Sequence, residues 1–252
     1  KKYDTKFIPV DSEHFSIWYA LQNNFNSKEI KRIYITASGG PFKNKPLKAF
    51  KNITVKDALK HPNWKMGKKI TIDSATMMNK VFEYIEALKI FNLNKKKLSI
   101  LIHPESFIHA IVFFKGELIK FLAHDTNMRI PILNALEIDN KISQKNYLYF
   151  LKNLNNISFR KPSSNKFPLL KLINIIPKKN SYFETILITL NDQLVEKYLL
   201  GEINFNSINQ NILKMVKKPF FKKYYKLTPK NIYDIKKMIK ITKIYLNSNI
   251  IN

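Results

Sequence analysis

The segment PVDSEH (residues 9–14) sets two carboxylates two positions apart, directly after the apolar run FIPV. In extended chain, residues i and i+2 point the same way, so Asp11 and Glu13 are expected to project together while Ser12 faces aside. Adjacent carboxylates repel unless a cation or a proton is shared between them. The chain has no cysteine, so an oxygen-rich site would take Mg2+ or Mn2+ rather than a softer metal. A solvated turn is the commoner use of such a pair, and the two residues alone do not decide.

Two further segments carry polar groups in useful places. In TASGGPF (36–42), Gly39-Gly40 lets backbone N–H groups approach an anion and Ser38 adds a hydroxyl; a plain Gly-Gly-Pro turn reads equally well. A helix predicted over 75–91 follows Asp73-Ser74, either of which can cap it, which would make its start an anion site with Ser74 at the cap. On that helix Asn79 and Glu83 are four apart and Lys80 and Glu83 three apart, so all three share a side, with Met78, Phe82 and Ile85 as the buried side. A surface Lys80–Glu83 pair is the plain alternative. His103 and His109 stand six apart, a spacing that matches no common metal pair, and read as structural.

In HPNWKMG (61–67), Trp64 lies between Pro62 and Gly67 and has no helical or strand face on which to bury. A bulky ring on such a segment fits a loop that closes over a substrate.

These groups need a scaffold. FIPV (7–10), RIYITA (32–37), LSILI (98–102), HAIVFF (109–114) and ELIKFLA (117–123) read as strands, the last two joined by a turn at Lys115-Gly116. Helices are predicted over 13–22, 75–91 and 128–137. The first part is therefore α/β or α+β with a sheet core, here assigned to residues 1–145. Proline and serine through 162–177 mark a linker over 146–180. Residues 181–252 read as a small all-α bundle: 181–200 ends at Gly201, 207–218 aligns Ile208, Ile212, Met215 and Val216, and Thr228-Pro229 is expected to cap and open a last helix. That helix carries the stripe Ile232, Ile235, Met238, Ile239, Tyr245 and Leu246.

A net charge of +26 invites a nucleic-acid reading. Only Arg32, Arg129 and Arg160 of the 44 basic residues are arginine, and base and phosphate forks favour arginine. The lysine excess instead fits drift in an AT-rich genome, such as that of a bacterial symbiont. Residues 141–252 hold 21 basic against 5 acidic side chains, most of them expected on solvated helix faces. No apolar run reaches membrane-spanning length, and residues 1–14 lack a signal-peptide core, so a cytoplasmic address is expected.

Taken in order, PVDSEH, TASGGPF, HPNWKMGKKITIDSATMMNK, LIHPESFIH and NMRIP resemble the 1-deoxy-D-xylulose 5-phosphate reductoisomerase family from residue 7 to about 137. FPLLKL and TLNDQLVEKYL resemble its C-terminal helical domain more loosely. The resemblance implies an NADPH-dependent conversion of a sugar phosphate, 1-deoxy-D-xylulose 5-phosphate, to 2-C-methyl-D-erythritol 4-phosphate, and a homodimer. It implies Asp11, Glu13 and Glu83 as ligands of Mg2+ or Mn2+, and Ser38, Ser74, Asn79 and Lys80 around the phosphate. Ser12 and His61 would meet the substrate, Trp64 and Met66 would belong to the closing loop, and Gly67 with Met66 would lie near the cofactor. No glycine-rich nucleotide-binding turn occurs in the 252 residues, so the NADPH-binding domain is expected outside this sequence. Val81, Lys43 and Thr126-Asn127 depart from the family pattern, and Val81 is expected to tighten packing at the helix start. A lysine-rich nucleic-acid module and a non-catalytic remnant of the enzyme are the rival readings.

Overall fold

The computed structural model describes residues 5, 7–22, 28–137, 151–152, 154–155 and 157–250. They form two compact units that interleave along the chain: Lys1–Gly39, Pro62–Lys65 and Phe82–Pro162 in the first, and Gly40–His61, Met66–Val81 and Ser163–Asn252 in the second.

The first unit is built on a mixed four-stranded sheet of β1 (Ile30–Ala37), β2 (Leu98–Ile102), β3 (Ile108–Phe114) and β4 (Ile119–Ala123), in the order β2-β1-β3-β4. β1 runs parallel to β2, with Ile33 opposite Leu98, and antiparallel to β3, with Ile35 opposite Ala110. β3 pairs antiparallel with β4. Ile33, Ile35, Ala110 and Val112 are fully buried, as the apolar runs of β1 and β3 require. β4 alternates between exposed and half-buried residues, as an edge strand with one open face does. Helix α1 (Ser12–Ala20) packs against β3 and β4 and buries Phe15 and Ile17. The β3–β4 connection turns at Gly116, whose φ of 76° suits glycine.

FIPV does not become a strand. Residues 7–10 pair with nothing among the described residues, Pro9 offers no N–H, and Phe7 is 69% exposed. The predicted helix over 75–91 is two helices, α3 (Lys68–Thr76) and α4 (Met78–Ile90), because Met77 adopts left-handed φ of 63° between them. The β-branched run Ile70-Thr71-Ile72 concealed α3, which begins right after Gly67.

In the second unit, α2 (Val55–Ala58) follows a 3-10 turn at Leu47–Asn52. A 3-10 helix at Pro168–Ile175, within the stretch read as linker, buries Leu169 and Leu172 completely. After α5 (Arg129–Ala135) of the first unit, helix α6 (Tyr182–Leu199) opens with a capping box between Ser181 and Glu184. It buries Phe183, Leu187, Leu190 and Leu194 fully, and Gly201 after it takes φ of 78°. Helix α7 (Phe205–Met215) buries Ile208, Ile212 and Met215, as their spacing predicts. Phe205 meets the rings of Phe42 at 5.2 Å and Tyr198 at 5.7 Å, so the 40–61 segment shares this helical core.

After α8 (Pro219–Lys222), the last helix, α9 (Ile232–Asn247), starts three residues later than Thr228-Pro229 predicts. Asn231 caps it by accepting the Asp234 N–H at 3.0 Å, while the Thr228 hydroxyl donates to the Asn180 carbonyl. Met238 and Leu246 of the predicted stripe are buried; Ile232 is 71% exposed.

Gly40 sits at φ +65°, and a Cβ there would lie 2.9 Å from the Ser74 carbonyl oxygen. Gly40→Ala is therefore expected to lower stability by about 2 kcal/mol or more, since left-handed backbone alone costs an alanine roughly 1–2 kcal/mol. Denaturant unfolding of both proteins checks this; an unchanged midpoint would contradict it.

Candidate metal centre and neighbouring groups

Asp11 is the N-cap of α1, its side chain accepting the His14 N–H at 3.4 Å, so Ser12 and Glu13 form the first helical turn. This corrects the extended-chain geometry expected for PVDSEH. The cap signal Asp-Ser governs the segment, and the acidic residues lie at a helix start, where the helix dipole favours negative charge. Glu83 comes from the second turn of α4. Carboxylate oxygens of Asp11, Glu13 and Glu83 lie within 4.8 Å of one another; Asp11 is exposed, while Glu13 and Glu83 are buried.

Three carboxylates from two helices, two of them out of water, make an oxygen-ligand set that fits a hard divalent cation. Their mutual separation of at most 4.8 Å is short enough for the three side chains to share one such cation. The Ser12 hydroxyl donates to the Glu13 carboxylate, orienting it.

His14 was not anticipated. Its ring is 1% exposed, with Nδ1 at 2.9 Å from the Asp11 carboxylate and Nε2 at 3.0 Å from the Glu83 carbonyl. One imidazole thus ties the segments that carry two of the three acids. Burial alone would lower its pKa, but hydrogen bonding and charge from Asp11, with help from the Glu83 carbonyl and Glu86, raise it overall. The spacing Asp-x-x-His across a helix cap was the available signal.

Lys80 and Glu83 are 5% and 4% exposed, which removes the surface-pair alternative. On helix α4 Val81 is fully covered and Tyr84 and Ile85 are buried, whereas Phe82, assigned to the buried side, is only half covered and shares an open side with Glu86 and Lys89. Asn79, half-buried, and Lys80 lie in its first turn.

Ser74 does not cap this helix. It lies inside the last turn of α3, its carbonyl accepting the Met77 N–H at 3.2 Å, so the anion-site argument for a helix start at Ser74 fails. Asp73 is no cap either. Its buried carboxylate, 1% exposed, accepts from Lys69 at 2.7 Å and Asn191 at 2.8 Å, tying α3 to α6. Ser74 Oγ instead meets His61 Nε2 at 3.1 Å, which brings two of the predicted substrate residues together. Burial, with the Lys43 charge nearby, holds the His61 pKa down at about 4, so near neutrality its ring is an uncharged hydrogen-bonding group.

Trp64 packs edge-on against His109, ring centroids 6.2 Å apart, and Asn63 Nδ2 donates to the Pro104 carbonyl and Ser106 Oγ. Met66 is half-buried. Gly67 is the exposed N-cap of α3, its carbonyl accepting from the Thr71 N–H and hydroxyl, and a Cβ there would meet nothing. Ser38 follows β1, half-buried. His103 and His109 are buried, with Nδ1 of the first 3.0 Å from the Ser158 carbonyl and Nε2 of the second 3.1 Å from the His124 carbonyl, in keeping with structural roles.

Comparison with known proteins defines the class first. Residues 7–91 match the 1-deoxy-D-xylulose 5-phosphate reductoisomerase C-terminal domain, and residues 124–244 match the DXP reductoisomerase C-terminal domain. A reductoisomerase of Pelagibacter ubique is 55% identical over 240 residues, covering 94% of this chain and 61% of that protein. One from a Sulfurihydrogenibium species is 47% identical over 84% of this chain and 56% of its own length. A crystal structure of DOX-P reductoisomerase with NADPH, fosmidomycin and magnesium superposes with a TM-score of 0.83 at 31% identity, covering 96% of this chain and 62% of the other. The Zymomonas mobilis enzyme with NADPH gives 0.80 at 30% identity, covering 95% of this chain and 60% of its own. The chain belongs to the 1-deoxy-D-xylulose 5-phosphate reductoisomerase family. It spans roughly three fifths of the length of these relatives.

Glu83→Gln keeps shape and helix propensity and removes one charge from the triad. Mn2+ affinity is expected to fall at least about tenfold, the lower end of what the loss of even an outer-shell group costs. The metal-free variant should be slightly more stable than the parent, because carboxylate repulsion is relieved. Calorimetric titration of Mn2+ checks this, and equal affinities would remove Glu83 from the site.

Proposed function

We propose that this chain provides the metal- and substrate-binding part of an enzyme that converts 1-deoxy-D-xylulose 5-phosphate to 2-C-methyl-D-erythritol 4-phosphate with NADPH. The observation that carries it is the carboxylate triad, Asp11, Glu13 and Glu83, in a chain of this family. Support for the ligands comes from relatives whose structures contain magnesium, NADPH and the inhibitor fosmidomycin.

Asp11, Glu13 and Glu83 hold a Mg2+ or Mn2+ ion in this reading. A cation held there would act as a Lewis acid toward oxygens of the sugar and would offset the negative charge that develops as a carbon–carbon bond migrates. Ser38, Ser74, Asn79 and Lys80 hold the phosphate, and the ammonium of Lys80 supplies positive charge that the hydroxyls and amide lack. Ser12 and neutral His61 orient the sugar through hydrogen bonds. Trp64 and Met66 close over it and exclude water, which strengthens each of these contacts. Met66 and Gly67 are the positions placed beside the cofactor.

The division into a catalytic domain at 1–145, a linker at 146–180 and a helical domain at 181–252 belongs to the same proposal; its first boundary falls outside the described residues. A homodimer fits the edge strand β4, where Ile119 and Phe121 are 40% and 51% exposed. Among the described residues no helix is long and apolar enough to cross a membrane. The reading places the enzyme in the bacterial cytoplasm. Lysine-rich surfaces remain solvated helix faces here, with no role in binding nucleic acid.

Fosmidomycin, a phosphonate, tests the proposal. Calorimetry should detect its binding to this chain in the presence of Mg2+ and a loss of most of that affinity in EDTA. No binding with Mg2+, or binding that ignores the metal, would refute the reading.

A further inference from the structure

His124 follows β4 and has no part in the constellation described above. Its ring stacks face to face on His109, with centroids 3.9 Å apart and planes 20° apart. His109 in turn receives the edge of Trp64. Both imidazoles are fixed by main-chain carbonyls: His109 Nε2 lies 3.1 Å from the His124 carbonyl, and His124 Nδ1 lies 2.7 Å from that of Asp125. The His124 N–H donates to the Phe107 carbonyl, which pins the residue to the start of β3. Three rings, Trp64, His109 and His124, therefore form one column running from the closing loop into the sheet.

The inner edge of the His124 ring lies within electrostatic range of Glu13. His124 is 7% exposed, and its Nε2 has no hydrogen bond of normal geometry. With Nδ1 engaged by Asp125, the ring's other polar neighbours are the Ser12 backbone and the Glu13 carboxylate. A buried nitrogen left without a partner is unfavourable. The stacked face and the Nδ1 contact with the Asp125 carbonyl hold the ring in place.

We infer that His124 is a positioning residue for the closing loop: it carries the His109 ring at a fixed height, and His109 seats Trp64. The inference rests on the proposed function, because the loop's closure matters only if a substrate lies under it. His124 touches no substrate itself, being covered.

The test uses the whole chain with Trp18→Phe as background, so that Trp64 is the sole tryptophan, and fosmidomycin with Mg2+ as the probe. His124→Leu keeps volume and loses the stacked face; His124→Phe keeps the face and loses the nitrogens. The leucine variant should bind the probe about 3- to 10-fold more weakly, the range set by loss of one aromatic pair. Its Trp64 emission change on binding should shrink, while His124→Phe stays within about twofold of the background protein and keeps the emission change. Leucine behaving like the parent, or phenylalanine failing as badly as leucine, would overturn the inference. If the leucine variant does not fold, the phenylalanine variant decides alone: a kept Trp64 response supports the stack, and a lost one refutes it. Failure of the background protein itself to bind the probe would count against the proposed function instead. The ligand-free emission maximum of Trp64 would still read the stack, shifting red with leucine and not with phenylalanine.

Discussion

Mutual repulsion among three carboxylates is what the first unit is built to withstand. At the 4.8 Å limit that bounds the triad, two buried charges such as Glu13 and Glu83 repel by roughly 3 kcal/mol at an effective dielectric of about 20. That is several times the worth of a typical surface ion pair, about 0–1 kcal/mol. A fold that nonetheless brings these oxygens together must fix their backbones by other means. Capping by Asp11 holds the start of α1, and the packing of Phe15 and Ile17 locks that helix to the sheet. Glu83 lies on the buried face of α4, so it cannot swing into water without disturbing Val81, Tyr84 and Ile85. His14 joins the two segments through the Asp11 side chain and the Glu83 carbonyl.

The same rigidity explains why the neighbouring polar groups occur where they do. Left-handed Met77 ends α3 and lets α4 start afresh, placing Asn79 and Lys80 in its first turn. Asp73, which sequence grammar offers as a cap, is instead consumed by Lys69 and Asn191 and holds α3 against α6. Gly40 allows the chain to pass within contact of the Ser74 carbonyl. In each case a polar or flexible residue that looks functional in isolation is serving backbone geometry.

Much of this was legible in advance, and the failures have identifiable causes. Strands β1 to β4 follow from β-branched and aromatic runs bounded by turn residues, and α6 and α7 from apolar spacing and their flanking Ser181 and Gly201. The pairing of Asp11 with Glu13 was readable from residue type and Glu83 was joined to them only by the family resemblance; the structure groups the three, yet the geometry inferred for the first two was wrong. An Asp-Ser pair caps a helix as readily as it ends a strand, and FIPV has no partner strand among the described residues. The split at Met77 was hidden because nothing in Thr-Met-Met forbids helix; only tertiary packing puts a methionine at φ of 63°. His14, His109 and His124 were illegible as a group because their partners, Glu83, Trp64 and the Ser12–Glu13 turn, are distant in sequence.

Whether the triad holds a metal is best decided by crystals of this chain grown with Mn2+ and measured for anomalous scattering. A single strong peak within bonding distance of Asp11, Glu13 and Glu83 is the predicted result. A peak elsewhere, or none at a saturating concentration, would show that the three carboxylates are not a metal site and would contradict the account.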